Sequence, residues 1–281
     1  MRLIRILTVL IFIAVSGIFL YNLYEIKINV DDSIPEFSIK NQDDVYRVSV
    51  NATEEELKTG VTVYDKKDGD LTSDIVVEEI SKFITGHQCK ITYAVSDSDN
   101  HIARASRIIE FTDYVPPKFT LSQQLCLYMG QNIDTIDIIG AVDCYDNKEN
   151  GGDITKNVKL LSSSVSTKTA GTYTVIAQVT NSLGDTSKLQ ALVAVREKNN
   201  LEPQMEFKEN IIYLKKGSNF DPLDNIKSLN DYKGNPLDKK EVKIEKTSVD
   251  TKKEGFYYVI YRFKDDEDNE GKAYLTVVVT E

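Results

Sequence analysis

Tryptophan is absent from this 281-residue chain, and histidine and cysteine are rare, with two and three residues. Because these two residue types supply many general bases, nucleophiles and metal ligands, their scarcity argues against most hydrolases, metalloenzymes and redox proteins. Basic residues are also fewer than acidic ones: the chain has 34 Lys and Arg and 44 Asp and Glu, which gives a net charge of −10. An acidic chain without a basic cluster repels phosphate backbones. We therefore predict a protein that is not an enzyme, has no obligatory cofactor and does not bind nucleic acid.

The N-terminus holds a long apolar run. Arg2 and Arg5 precede it, and residues 6–24 make a segment of 19 residues, close to the roughly 20 that span a bilayer. Acidic residues follow the run. This charge order predicts an uncleaved signal anchor, with residues 1–5 in the cytoplasm and the C-terminal part outside it. A cleaved secretory signal is the alternative, although its small-residue cleavage site would lie inside the apolar run.

The rest of the chain repeats one pattern three times, over residues 34–113, 116–196 and 203–281. Each repeat opens near a proline and later has a glycine followed by alternating apolar and polar residues, which is typical of half-buried strands. The glycines Gly86, Gly171 and Gly255 are 85 and 84 positions apart. The predicted inward positions are Cys89, Ile91, Tyr93 and Val95; Tyr173, Val175, Ala177 and Val179; and Tyr257, Val259, Tyr261 and Phe263.

Short strands separated by turn residues, without a long amphipathic helix after the first 30 residues, predict an all-β protein. The first repeat adds a motif, because residues 60–65 read Gly-Val-Thr-Val-Tyr-Asp and continue as D-x-x-D-G-D-L-T. The signature residues are Asp65, Asp68, Gly69, Asp70, Leu71 and Thr72. This order resembles the bacterial immunoglobulin-like repeat domains of surface and secreted proteins. The resemblance implies three tandem immunoglobulin-like antiparallel β-sandwiches after an N-terminal transmembrane helix, and an extracellular context, but no particular ligand.

The motif is weaker in the other two repeats. In the second repeat, the segment from Asp146 to Asp153 matches the acidic segment of the first repeat but is two residues longer. Cys144 is matched to Val63, which is predicted to face inward. The third repeat reads NDYKGNPLD at this point and loses most of the acidic residues. We therefore expect the third repeat to be recognisable only from its last strands.

The acidic residues of the first repeat allow three interpretations. Asp65, Asp68 and Asp70 lie in one connection, and Asp97 and Asp99 lie in the connection between the last two strands. Aspartates of tight turns accept hydrogen bonds from nearby main-chain amides, which is the interpretation that we favour. If both connections share one end of the sandwich, the five carboxylates could instead bind calcium. A catalytic pair is disfavoured, because no histidine or nucleophile lies near them in sequence.

Few other residues suggest chemistry. Cys126 and Cys144 could form a disulfide in an oxidising compartment, but an odd number of cysteines without a repeated pairing argues against a disulfide framework. His87 and His101 are expected in exposed loops. The linker at residues 195–205 is longer and more polar than the first one, which predicts that the third domain moves more freely.

Two functions follow as hypotheses. The first is a membrane-anchored extracellular stalk that serves adhesion, scaffolding or protein interaction at the bacterial cell surface. The second is a module that binds a polysaccharide of the cell envelope, with calcium as a stabilising ion. Exposed aromatic rings are common in sugar sites, and the chain has 15 tyrosines, many of them at predicted core positions.

Overall fold

The computed structural model describes residues 2–29, 32–41 and 44–281. Its first element is helix α1, Arg2–Asn29. The segment Arg5–Glu25, 21 residues long, contains no residue buried within the protein and is long and apolar enough to cross a membrane. The predicted apolar helix is therefore present, and a cleaved signal sequence would have the same length and composition.

The strands after α1 form three sets with one topology, which we name domain one, domain two and domain three. In each domain, the opening strand pairs antiparallel with a middle strand in a small sheet, and four other strands form a larger sheet. One short strand of the larger sheet runs parallel to the last strand of the domain. The predicted β-sandwich series is confirmed, with this one parallel pair in each otherwise antiparallel domain.

The elements of domain one are β1 Glu36–Ile39, β2 Tyr46–Val48, α2 Glu54–Lys58, β3 Val61–Asp65, β4 Gly69–Asp70, β5 Val76–Ile80, β6 Gln88–Ser96 and β7 Ile102–Phe111. The elements of domain two are β8 Lys118–Leu121, β9 Cys126–Tyr128, β10 Ile139–Val142, β11 Lys159–Ser163, β12 Gly171–Thr180 and β13 Thr186–Arg196. The elements of domain three are β14 Gln204–Phe207, β15 Ile211–Lys215, β16 Ile226–Asn230, β17 Lys243–Thr247, β18 Gly255–Lys264 and β19 Glu270–Thr280.

Sheet order is the same in all three domains. The large sheets run β2-β7-β6-β5, β11-β12-β13-β9 and β15-β19-β18-β17, and the small sheets pair β1 with β3 and β4, β8 with β10, and β14 with β16. The inward side chains of the two sheets meet in an apolar core, as the clusters of domains two and three show. Of the twelve predicted inward residues, ten are buried, and Tyr173 and Tyr257 are half-buried. The period-two prediction is confirmed.

Each large sheet ends in an edge strand that carries one extra residue. The register of β5, β11 and β17 shifts at the same place, and the extra residues are Glu78, Leu161 and Glu245. Such a bulge twists the edge strand and interrupts its pairing pattern, which hinders unwanted pairing with other chains.

Domains two and three form one compact unit, residues 113–281, and the preceding residues form a separate unit. The main-chain N–H of Phe119 in domain two donates to Tyr213 Oη in domain three at 2.7 Å. Gln124 Nε2 donates to the carbonyl oxygen of Met205 at 2.7 Å, and Gln124 Oε1 accepts from the N–H of Tyr274 at 2.9 Å. One glutamine of domain two thus contacts two strands of domain three.

Apolar and charged contacts add to this junction. Ile211 and Val278 of domain three belong to the buried cluster that forms the core of domain two. In the linker, Arg196 Nη1 donates to Glu202 Oε1 at 2.6 Å, and Glu202 is only 3% exposed. The prediction that the third domain moves more freely is wrong, because its outer sheet face and its linker are both packed against domain two.

Candidate functional site

The turn after β3 is organised around Asp65, which is 2% exposed. Its Oδ1 accepts the main-chain N–H groups of Lys67 at 2.8 Å and Asp68 at 3.0 Å, and its Oδ2 accepts the hydroxyl of Ser33 at 3.0 Å. The hydrogen bond from the Asp68 amide, followed by that from Lys67, keeps the pKa of the Asp65 carboxyl below its ordinary value despite burial. A buried carboxylate saturated in this way fixes the turn.

The two acidic connections of domain one share one end of the sandwich, as the calcium hypothesis required. Asp68 Oδ2 accepts from both the main-chain N–H and the hydroxyl of Ser98, each at 3.0 Å. Lys67 Nζ lies 2.6 Å from Asp99 Oδ2. These contacts tie the turn after β3 to the turn between β6 and β7.

The second turn is organised around Asp97. Its Oδ1 accepts the N–H groups of Asp99 at 2.9 Å and His101 at 2.8 Å, and its Oδ2 lies 2.8 Å from His101 Nδ1. The hydrogen bond to Asp97 raises the pKa of the His101 imidazole above its ordinary value. His101 was expected to be an exposed loop residue, but it is half-buried and braces this turn, whereas His87 is exposed.

Asp70 belongs to a third local motif. Its Oδ1 accepts the N–H of Thr72 at 2.9 Å, and Thr72 Oγ1 in turn accepts the N–H of Val63 at 3.1 Å. Hydrogen bonds from Thr72 lower the pKa of the Asp70 carboxyl. The signature D-x-x-D-G-D-L-T therefore encodes a chain of side chain to main chain bonds that joins the turn to β3.

These contacts bear on the calcium prediction for Asp65, Asp68, Asp70, Asp97 and Asp99. Calcium needs six to eight oxygen ligands. Within the described ranges, no group of three or more His, Cys, Asp or Glu side chains is placed to hold a metal ion. In this structure the carboxylates accept N–H and hydroxyl donors or contact an ammonium group, an arrangement that braces the turns. The calcium site stays a prediction, which a calcium titration tests.

Domain two repeats the motif with a different alignment from the expected one. Asp143, directly after β10, takes the place of Asp65, because its Oδ2 accepts the N–H groups of Tyr145 and Asp146 at 2.8 Å each. Asp146 then takes the place of Asp68 and accepts both the N–H and the hydroxyl of Ser182. The insertion lies between Asp146 and Asp153, which are seven positions apart instead of two, so it has five residues and not the two that we predicted.

This shift also corrects the placement of Cys144. The residue that matches Val63 is Ala141, which is fully buried, and Cys144 lies beyond the strand. Its thiol contacts the main chain of Val115, donating to the carbonyl oxygen at 3.2 Å. All three cysteines are free, including Cys126, so the alternative of a Cys126–Cys144 disulfide does not describe this structure.

Domain three retains the motif, contrary to the expectation that only its late strands would be recognisable. Asp231, directly after β16, accepts the N–H groups of Lys233 at 2.8 Å and Asn235 at 2.7 Å. Lys233 Nζ lies 2.6 Å from Glu267 Oε1, in the same relation as Lys67 to Asp99. The sequence hid this copy because Gly234 and Pro236 stand where domain one has Asp68 and Asp70, and Glu267 stands where it has Asp99.

The turn between the last two strands differs in chemistry from domain to domain. Its first residue is Asp97, Asn181 or Asp265, and its fifth residue is His101, Asp185 or Asn269. In domain three, Asn269 Nδ2 donates to Asp265 Oδ2 at 2.8 Å, where domain one uses the imidazole of His101. Only domain one places a group that titrates near neutral pH at this point.

Sequence reasoning missed a buried cation in domain one. Arg107 is 5% exposed, its guanidinium stacks 3.8 Å from the ring centroid of Tyr46, and its Nε donates to Tyr93 Oη at 2.9 Å. Nη2 and Nη1 donate to the carbonyl oxygens of Leu57 at 2.7 Å and Thr59 at 3.0 Å, at the end of α2. Among the described residues, no carboxylate pairs with it. Arg107 therefore fixes α2 to the large sheet and is a structural residue.

Comparison with known proteins gives limited likeness. No family model matches the chain. The chain is 29% identical over 221 residues to the pesticidal crystal protein Cry22Aa of Bacillus thuringiensis, a match that covers 76% of this chain and 29% of that protein. The chain thus spans less than a third of that relative.

Two solved structures are similar over most of the chain. One is the M60 catalytic domain with the CBM51-1 and CBM51-2 domains from Clostridium perfringens ZmpB, at 12% identity and a TM-score of 0.25, covering 89% of this chain and 31% of that one. The other is the protocadherin GammaB4 extracellular domain, at 10% identity and a TM-score of 0.20, covering 89% of this chain and 51% of that one. Both TM-scores lie below 0.5, so the fold assignment rests on the strand order described above.

Proposed function

We propose that this chain is a membrane-anchored stalk of immunoglobulin-like domains that serves adhesion, scaffolding or protein interaction at a bacterial cell surface. The observation that carries the proposal is the exposed apolar segment Arg5–Glu25, followed by a series of β-sandwich domains. Apolar side chains that no protein covers are stabilised by transfer out of water, at about 25 cal/mol per Å². A lipid bilayer provides that environment, and the partner would be a protein or polysaccharide of the cell envelope.

The orientation follows from charge. Arg2 and Arg5 precede the apolar segment, and basic residues are retained on the cytoplasmic side of a membrane. Residues 1–5 would then be cytoplasmic, residues 6–24 would span the membrane as an uncleaved signal anchor, and the rest would be extracellular. The extracellular domains in this proposal cover residues 34–113, 116–196 and 203–281.

We further propose that these domains bind and do not catalyse. Support comes from the turn carboxylates, whose oxygens accept main-chain N–H groups and hydroxyls and so hold loops in place. The pair of His101 and Asp97 is likewise part of a turn, because Asp97 also accepts two main-chain amides. Side chains fixed by such bonds are suited to shaping a rigid surface.

The anchor can be tested by extraction of membranes with alkaline carbonate. The full-length chain should stay in the membrane fraction, with its N-terminus at or near Met1 by mass spectrometry. A variant with Ile11→Arg and Val15→Arg places two charges in the span, each costing about 2.5–3.5 kcal/mol at the centre of a bilayer, and should appear in the soluble fraction. A wild-type soluble form beginning between residues 17 and 30 would show instead that the segment is a cleaved signal.

A second function, binding of an envelope polysaccharide, is favoured by one surface of domain two. Lys156, Lys159 and Lys188 form no ion pair within the part of the chain that the structure describes. Lysines without an ion-pair partner on an acidic chain point to an anionic partner.

A further inference from the structure

The outer faces of the three large sheets differ at one equivalent position. In domain one, the bulge residue Glu78 accepts from Arg104 on β7, with Nε at 2.7 Å and Nη2 at 2.7 Å. In domain three, the bulge residue Glu245 contacts Lys272 Nζ at 2.8 Å and Arg262 Nε at 3.2 Å. In both domains, an acidic residue of the edge strand neutralises the cations of the neighbouring strands.

Domain two has a leucine at this position. Leu161 is the bulge residue of β11 and is 52% exposed. Lys188 pairs with Gln178 across the strands, which is the place that Arg104 and Lys272 occupy in the other two domains. Within the described residues no glutamate pairs with Lys188, so its charge is not neutralised in the way that those of Arg104 and Lys272 are.

A cavity of about 280 Å³ is lined by Lys156, Asn157, Lys159, Gln178 and Thr180. Lys188 is the cross-strand partner of Gln178 in that lining. We name this surface, the cavity together with Lys188, the lysine face. The hydroxyl of Thr180 lies 2.8 Å from the hydroxyl of Thr186. Lysine, amide and threonine side chains therefore line a hollow whose volume is just below the roughly 300–1,000 Å³ of small-molecule sites.

The charge of the lysine face is unusual for this protein. The strands β11, β12 and β13 contain no Asp or Glu, although the whole chain has a net charge of −10. Hydrogen bonds from Thr155 and, to a smaller degree, the charge of Lys156 lower the pKa of the Asp153 carboxyl. The two residues form no ion pair, so the lysine face stays cationic.

We propose that the lysine face binds an acidic polysaccharide whose sugars carry carboxylates. The three lysines supply charge for the carboxylates, Asn157, Gln178 and the threonine hydroxyls supply hydrogen bonds for sugar hydroxyls, and the cavity has the size of a sugar unit. Exposed Leu161 supplies an apolar contact for a ring face. This inference names a ligand class for the second proposed function and rests on the extracellular placement of the domains.

The test is calorimetric titration of the full-length chain, in mild detergent at low salt, with polygalacturonate as the probe. The chain should bind polygalacturonate, with an affinity that falls as salt rises, and should not bind neutral dextran. Leu161→Glu restores the acidic residue of the other two domains and should weaken binding about tenfold, because the glutamate would pair with Lys188 and repel the ligand. Removal of two cations by Lys159→Gln with Lys188→Gln should weaken binding at least as much.

Matched controls separate this site from general charge. Lys243→Gln with Lys252→Gln removes two exposed cations of domain three and should leave the affinity unchanged. Domains one and three have glutamate at the bulge, so Leu161→Glu should leave the melting temperature unchanged. If Leu161→Glu lowers the melting temperature, the double variant Lys159→Gln with Lys188→Gln becomes the test of the site.

Three results would overturn the proposal: failure to bind polygalacturonate at low salt, unchanged binding by the lysine-face variants, or equally tight binding of poly-L-glutamate, which carries carboxylates without sugars. Because purified protein is used, failure here would leave the membrane anchor and the adhesive stalk unaffected.

Discussion

The contact between Tyr213 and Phe119 offers a sharp test of the pairing of domains two and three. Phe119 is 2% exposed, and its main-chain N–H donates to Tyr213 Oη at 2.7 Å. Burial raises the pKa of the Tyr213 hydroxyl to about 12. Tyr213→Phe removes this acceptor and keeps the ring, so a buried donor is left unsatisfied at a cost of about 1–3 kcal/mol. The free energy of unfolding of residues 113–281 should fall by that amount.

The assay is equilibrium unfolding of residues 113–281 in urea, followed by circular dichroism. The matched control is Tyr257→Phe, which removes a hydroxyl that donates to the exposed carbonyl oxygen of Lys253 at 2.9 Å within domain three. Since water can replace that bond, the control should cost less than about 0.5 kcal/mol. Equal losses in the two variants, or separate transitions for domains two and three in the wild-type protein, would refute a stabilising junction.

Three further predictions concern domain one. Val95→Asp places an unpaired charge in a position that is 2% exposed, at a cost of several kcal/mol; it should unfold domain one and leave the melting of residues 113–281 unchanged, as limited proteolysis would show. Calcium at about ten millimolar should shift the melting temperature of domain one only slightly. A calcium site would instead add about 2.7 kcal/mol to the free energy of unfolding when calcium is at one hundred times its dissociation constant. A large shift that the double variant Asp68→Asn with Asp70→Asn abolishes would establish the site. Because the pKa of His101 is raised in the folded state, the stabilisation from its bond to Asp97 is fully present below about pH 6.5 and is lost as pH rises through the folded-state pKa. The melting temperature of domain one should therefore fall between mildly acidic and mildly alkaline pH. His101→Asn should remove this pH dependence.

Local patterns made much of the fold predictable. The apolar run predicted the N-terminal helix, and the period of two at Tyr93, Val95 and their equivalents predicted buried strand faces, because both patterns report on neighbours within one element. Asp65 and its turn were also predictable, since Asp-x-x-Asp-Gly encodes hydrogen bonds over three residues. The main-chain N–H groups that Asp65 accepts are those that the turn interpretation predicts, whereas its bond with Ser33 joins residues 32 positions apart.

The features that sequence reasoning missed depend on distant partners. The buried Arg107 donates to carbonyl oxygens that lie 50 and 48 positions earlier in the chain, and no local sequence pattern reveals these partners. The bond between Phe119 and Tyr213 joins residues 94 positions apart, so the polar linker gave a misleading impression of mobility. The five-residue insertion after Asp146 led to a wrong alignment of the second repeat with the first. Sequence similarity alone did not show that Asp143, and not Asp146, follows the strand directly.

The most direct measurement of the proposed membrane topology is labelling of single cysteines by a membrane-impermeant maleimide in intact spheroplasts, compared with the unsubstituted chain. Lys252→Cys lies on an exposed part of domain three, and Leu3→Cys lies before the predicted span. An anchored stalk with its domains outside the cell predicts labelling of Lys252→Cys without permeabilisation and of Leu3→Cys only after it. The reverse pattern, or labelling of both only after permeabilisation, would contradict the extracellular placement of the domains.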